Sequence, residues 1–268
     1  MQNGYYDTTG AMVTQFNRLD VISNNLANVN TVAFKKDDLV IGDFERIYQT
    51  YRDKLPLTNH TKEAAKFLNR SLDRVPKVVE EYTKYTQGGI KMTGNPLDFT
   101  LKRADIFFLA ETPQGVRLTQ NGSFTINDKG ILVTKEGYPV LPDTYYSNGG
   151  YIEIPPNGKL TADKEGNLYV DNKKINKFFL AQVENIKRVQ KEGDNLYNIE
   201  NMNQEISQID KGDYIAQGFL ELSNINAVNE MVSLIETNRL VEMYQKVMDS
   251  HMNDLNNDAI NKLASVRI

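Results

Sequence analysis

The chain has no cysteine among its 268 residues and only two histidines. Without thiols there is no disulfide, no thiolate metal site and no cysteine nucleophile. That absence suits reducing and oxidising compartments alike. His60 and His251 lie far apart in polar surroundings. A histidine-based nucleophile or a zinc site would need distant carboxylates folded onto one of them, so two surface histidines are expected. No stretch approaches the roughly 18–20 apolar residues of a membrane span. With 31 basic against 35 acidic residues the net charge is −4, and no basic footprint offers itself to nucleic acid. Phosphate-cradling and dinucleotide fingerprints are missing. The Gly-ended turns at Asn127–Gly130 and Asp163–Gly166 lack the acidic spacing of a calcium loop. No pair of carboxylates is singled out as a glycosidase dyad. The expectation is a chain that is not an enzyme and takes no catalytic residue, metal, cofactor or small-molecule substrate. Its start, Met1-Gln2-Asn3-Gly4-Tyr5-Tyr6-Asp7, has neither the basic nor the apolar region of an ordinary secretory signal.

What is present is concentrated at the two ends. Met12, Phe16, Leu19, Ile22, Leu26, Val29 and Ala33 step by three and four, as one face of a helix does. Met12, Leu19, Leu26 and Ala33 fall seven apart, with Ile22 and Val29 at the companion position, which is a short coiled-coil seam. Leu234, Val241, Met248 and Leu255 repeat the device, flanked by Leu240, Tyr244 and Val247. Each seam covers about 22 residues, roughly 33 Å of helix. Two helices packing on their own domain and two helices packing on other chains both fit this pattern. Asn24, Asn25, Asn28 and Asn30 crowd the end of the first helix, more than a C-cap requires. Their amides could bind exposed backbone or fix register with a neighbouring chain.

Between the ends the grammar changes. From Gly88 to Gly218 short apolar runs are cut by turn pairs such as Asn121-Gly122, Lys129-Gly130, Glu136-Gly137 and Glu165-Gly166. This is the spacing of a sheet-rich body, with Phe124–Ile126 and Ile131–Val133 as a hairpin. The expected class is α+β: a mainly-β central body, with N- and C-terminal amphipathic coiled-coil-type helices packed together. The expected segments are an N-terminal helix over 1–34, a connector of undefined structure over 35–86 (with a possible helix at Thr61–Val75), the body over 87–222, and a C-terminal helix over 223–268. Gln87-Gly88 and Gln217-Gly218 are followed by similar strands, with Lys91 and Glu221 at matching offsets. The two segments are expected to pair as neck strands, the opposite charges facing each other.

These residues carry a family resemblance. Asp20-Val21-Ile22-Ser23-Asn24-Asn25-Leu26-Ala27-Asn28-Val29-Asn30-Thr31, followed by Phe34-Lys35, resembles the N-terminal signature of bacterial flagellar rod and hook proteins. Gln217 through Asn226, with Asn229-Glu230-Met231-Val232 and Ile235-Glu236, resembles their C-terminal signature. Thr93-Gly94-Asn95-Pro96-Leu97-Asp98, Asn121-Gly122-Ser123-Phe124 and Gly137-Tyr138-Pro139-Val140-Leu141 match in the body. The chain departs from the pattern at Ala33, where the family usually has Gly, at Gln120 for Arg, and at Leu240-Val241 after Arg239. One β body resembles the larger rod members, of distal type, with their proximal relative as the alternative.

The resemblance implies a structural subunit of the basal-body rod, exported through the flagellum-specific channel without a cleavable signal. It would polymerise into a tube that transmits torque across the periplasm. Its partners would be copies of itself, neighbouring rod and hook proteins and the export apparatus. Subunit contacts are expected on the N-terminal helix at Met12, Leu19, Ile22, Asn24, Asn25, Leu26, Asn28, Val29 and Asn30, and on the C-terminal helix at Leu234, Val241, Tyr244, Met248 and Leu255. Gln87, Gly88, Lys91, Gln217, Gly218 and Glu221 would form the neck strands. The other class the residues allow is a secreted β-rich adhesin or binding module with helical oligomerisation ends.

Overall fold

The computed structural model describes residues 2–43, 76–155, 158–209 and 211–265. The possible helix at Thr61–Val75 and His60 lie outside the described residues. Cα packing divides the chain into two compact units: Met1–Ala27, Asp37–Tyr82 and Asn226–Ile268 form the first, Asn28–Lys36 and Thr83–Ile225 the second.

The first unit holds helix α1 (Gln2–Ala27), the two-stranded sheet of β1 (Asp37–Asp43) and β2 (Pro76–Thr83), and the 39-residue C-terminal helix (Ala227–Ser265). The hairpin occupies the two described ends of what the sequence leaves as a connector. Helix α1 stops at Ala27, short of the expected boundary at 34. Asn28 turns the chain: its carbonyl accepts from Thr31 N at 3.1 Å and its side chain from Thr31 Oγ1 at 3.1 Å. Asparagine side chains compete with helical bonding in this way, which is why the seam ends before Val29. The C-terminal helix starts at Ala227, not 223. Asn226 caps it, its Oδ1 accepting from Val228 N and Asn229 N, each at 3.1 Å.

α1 lies along the C-terminal helix. The buried residues of the two helices are more polar than the heptad pattern implies. Ala11, Ile22 and Val241 are buried, but so are Thr8, Thr14, Gln15, Glu230 and Thr237. Of the expected seams, Ile22 and Val241 are buried while Met12, Leu19 and Leu26 are only half-buried. Apolar periodicity cannot register a threonine or glutamine that a helix pair chooses to bury.

The second unit is built on strands. β3 (Ile90–Met92), β4 (Phe99–Leu101), β5 (Ile106–Thr112), β6 (Gly115–Thr119), β7 (Phe124–Ile126) and β8 (Leu132–Thr134) precede a single-turn helix, α2 (Tyr145–Asn148). β9 (Leu160–Ala162), β10 (Asn167–Val170), β11 (Lys173–Lys177), β12 (Leu180–Val183), β13 (Gln190–Gly193) and β14 (Leu196–Asn198) follow. After α3 (Met202–Glu205) come β15 (Ile206–Gln208), β16 (Ile215–Gln217) and β17 (Phe219–Glu221), which lead to the C-terminal helix, α4. The largest sheet has the order β13-β14-β6-β5-β12-β15. Both its faces are covered. Ile106, Phe108, Phe178 and Leu180 enter one apolar cluster, while Phe107, Leu109, Phe179 and Ala181 enter the other. Successive residues of Ile106–Ala110 and Phe178–Ala181 thus all need apolar side chains, and both stretches read as unbroken apolar runs. Phe99, Phe108, Phe124 and Phe178 form an aromatic centre with ring centroids 5.1–5.9 Å apart. The Phe124 hairpin forms as its turn chemistry predicts: β7 pairs antiparallel with β8, and Asn127 Oδ1 accepts from Lys129 N and Ile131 N in the turn.

Candidate assembly surfaces

Three stretches of the second unit meet at one polar node: residues 28–36, 83–93 and 217–225. β3 pairs antiparallel with β17, with Met92 opposite Phe219, Lys91 opposite Leu220 and Ile90 opposite Glu221. The expected charge pairing needs correction. An antiparallel register reverses the offsets, so Lys91 does not face Glu221 and stays exposed. The partner of Glu221 is Lys35, whose ammonium stands 2.6 Å from Glu221 Oε1. The same oxygen accepts from Gly88 N at 2.7 Å, and Lys35 Nζ also donates to Thr86 O at 3.2 Å. Backbone and amide bonds close the node. Ala33 N donates to Glu221 O at 2.9 Å; Asn224 Oδ1 accepts from Lys36 N, and its Nδ2 donates to Lys84 O and Thr86 O. Lys191 donates to Lys35 O and sits 4.0 Å above the Phe34 ring.

The other neck residues belong to the same region. Gln87 Nε2 donates to Leu101 O at 2.8 Å. Gln217 is engaged at both ends of its amide, donating to Pro96 O and Leu160 O and accepting from Ala162 N. Gly218 adopts φ +78° and accepts from both Thr93 N and Gly94 N. Any side chain there would be strained. The pattern of the sequence placed these residues together but missed Ala33, Lys35, Lys191 and Asn224. The Phe34-Lys35 pair was the available signal, since a lysine inside a motif that otherwise reads as apolar and turn residues asks for a buried partner.

The asparagines at and after the end of α1 divide. Asn25 is 1% exposed and clasps the backbone of Asp37, donating to its carbonyl at 2.8 Å and accepting from its N–H at 3.0 Å. Both ends of its amide are engaged within the chain. Asn24 and Asn30 are exposed, and Asn28 makes the turn after α1. Of the C-terminal seam, Val241 is buried, and Leu234, Tyr244 and Met248 are half-buried, on the side of α4 that meets α1. Thr9 Oγ1 approaches Met248 Sδ at 3.9 Å. The side chain of Leu255 lies outside the described residues.

The opposite face of α4 is the exposed one. Val228, Met231, Val232 and Ile235 are each at least half exposed. Their spacing of three and four puts them on one side of the helix. A second surface lies where α1 meets the hairpin, a groove of about 390 Å³ lined by Asp20, Asp37 and Glu81 over Val21, Leu39 and Val78. His251 is half-buried on α4. Among the described residues no group of His, Asp or Glu has the arrangement of a metal site, and no helix is long and apolar enough to cross a membrane.

Three family models match this chain. Residues 7–35 match "Flagella basal body rod protein", residues 104–172 "Flagellar hook protein FlgE/F/G D1 domain", and residues 216–261 "Flagellar basal body rod FlgEFG protein C-terminal". The flagellar basal-body rod protein FlgF of Caulobacter vibrioides is 32% identical over 99% of this chain and 100% of its own length. FlgG proteins of Borreliella burgdorferi and of Buchnera aphidicola subsp. Schizaphis graminum are each 30% identical, over 95% and 90% of this chain and 97% and 92% of their own. The paired terminal helices, the β body between them and similarity over nearly the whole length agree: the chain belongs to the flagellar basal-body rod protein family, whose members are structural proteins and not enzymes.

Proposed function

We propose that this chain is a structural subunit of the distal part of the flagellar rod, polymerising through its terminal helices into a tube that transmits torque across the periplasm. It is exported through the flagellum-specific channel, and its partners are its own copies, adjoining rod and hook proteins and the export apparatus. The observation that carries this reading is the exposed apolar face at the start of α4, on the side away from α1. An apolar patch of this kind on a soluble chain marks an interaction surface. The polar residues buried on α1 and α4 leave the pair dependent on further burial, because helices of this sort gain most of their stability from packing. Half-buried Met12, Leu19 and Leu26 are the residues a neighbouring subunit would finish covering.

Electron microscopy of basal bodies from cells with and without the gene tests this. Rods that stop at an early stub, with no hook, are the expected result, and the length of the stub separates a distal from a proximal position. Complete rods and hooks in the deletion strain would overturn the proposal.

A further inference from the structure

Arg239 stands in the middle of the outward face of α4. It is exposed and has no hydrogen bond or ion pair among the described residues. Val232, Ile235, Met243 and Lys246 line up with it at steps of three and four, away from buried Thr237 and Val241. Glu236 and Glu242 are also exposed near this line, and neither pairs with Arg239 among the described residues. A guanidinium with Ile235 and Met243 one turn away on either side of it has the mixed apolar and charged composition of an interface anchor.

The groove between α1 and the hairpin has the complementary character. Val21, Leu39 and Val78 give it an apolar floor, Asp20, Asp37 and Glu81 give it three carboxylates, and among the described residues no lysine or arginine lines it. Asp20 and Glu81 are exposed and have no cationic partner among the described residues. No residue of the chain's own α4 lines it among the described residues, and Asp20 and Asn24 lie on a different side of α1 from buried Thr8, Ala11, Gln15 and Ile22.

We infer that the groove receives α4 of a second copy, with Arg239 seated between Asp20 and Glu81 and the neighbouring Val232, Ile235 and Met243 covering the apolar floor. The contact presupposes the rod assembly proposed above and specifies one interface within it. Groove and helix face are different surfaces of one chain, so each copy offers the one and consumes the other. A heterologous contact of this type does not close on itself as a two-fold dimer does, and repeats along a helical filament. Opposite charges facing each other over the groove also reject wrong registers, in which carboxylates would meet carboxylates.

The absence of cysteine makes the test clean. Chains carrying Glu81→Cys and Arg239→Cys together are expressed in place of the native protein, and isolated basal bodies are oxidised with copper phenanthroline. A ladder of multimers from the double variant, with no cross-link from either single variant, is expected. Dimers from Arg239→Cys alone would mean that α4 faces its own equivalent, and would overturn the inference. Assembled rods without a ladder would overturn it as well, while leaving the rod function intact. Rods that form normally in the absence of the protein would instead sink the assembly reading.

Charge reversal provides an independent readout should the cysteines block assembly. Arg239→Glu and Glu81→Arg singly should each lower the number of completed rods per cell by about tenfold or more, and the two together should restore it. Absence of restoration counts against the contact.

Discussion

Lys35 and Glu221 form an ion pair 2.6 Å apart, with side chains 0% and 3% exposed. Each charge gave up its water to be there, and a buried charge left alone is far more costly than the pair. Lys35→Met or Glu221→Leu alone should therefore destabilise the β body by about 3–5 kcal/mol, while the double substitution should recover most of the loss. Urea unfolding of the four proteins measures this. A single substitution costing under about 1 kcal/mol would show that the pair is not holding the three chain segments together.

Ala33 adopts φ +56° and is 1% exposed. A left-handed conformation costs a residue with a Cβ about 1–2 kcal/mol, part of which glycine returns through its greater freedom in the unfolded chain. Ala33→Gly should raise the melting temperature by a few degrees, a gain of about 0.5–1 kcal/mol. Ala33→Val should lower it sharply, because a branched side chain fits neither the backbone angle nor the buried space. A neutral outcome for both would refute the strain.

Gly88 lies against β17 so closely that a Cβ would collide with the Leu222 carbonyl oxygen. The Gly88 N–H also serves Glu221 Oε1. Gly88→Ala must push the two neck segments apart and should cost about 1–3 kcal/mol. The adjacent Gly89→Ala, whose nearest neighbour is the end of the Leu222 side chain at 3.9 Å, should be nearly silent. Equal effects in a thermal melt would argue against the close approach.

Burial pushes the Asp163 carboxyl up, but hydrogen bonds from the Asn167 side chain, the N–H groups of Asn167 and Glu165, and the Tyr169 hydroxyl outweigh it and hold the group below its ordinary value. A depressed carboxylate stabilises the fold above its unfolded pKa of about 3.9, and that contribution disappears as pH falls through the lower folded value. Wild type should lose stability steeply below about pH 4. Asp163→Asn should start from a lower plateau at pH 6 and show a shallower acid limb. Urea midpoints between pH 6 and pH 2 decide it; parallel limbs would rule out this residue as a source of the acid sensitivity.

The β body was legible from the sequence where local chemistry dictates structure. Asn127 and Gly130 make the hairpin of Phe124–Ile126 and Leu132–Thr134 through bonds within the turn itself. The neck strands were legible as a pair because Gln87-Gly88 and Gln217-Gly218 open two segments with apolar residues and charges at the same offsets. Their register was not: nothing within either segment says whether the offsets run together or in reverse. The helix seam was half right for a related reason. Val241 and Ile22 are buried as the apolar pattern expects, whereas Thr14, Gln15 and Thr237 are buried against their type.

The sequence alone determined that this chain builds no cysteine chemistry, that helices stand at both ends of a sheet-rich body, and which family carries those signatures. These follow from residue types and short spacings, which act over a few residues. Only the tertiary structure decided that Glu221 answers Lys35 across 186 positions of chain. It also decided that Asn25 turns inward to Asp37, and that α4 offers solvent the face around Ile235 and Arg239 instead of its heptad seam. Those choices depend on which surfaces are left to be covered once every other element has packed, and no local stretch of chain contains that information.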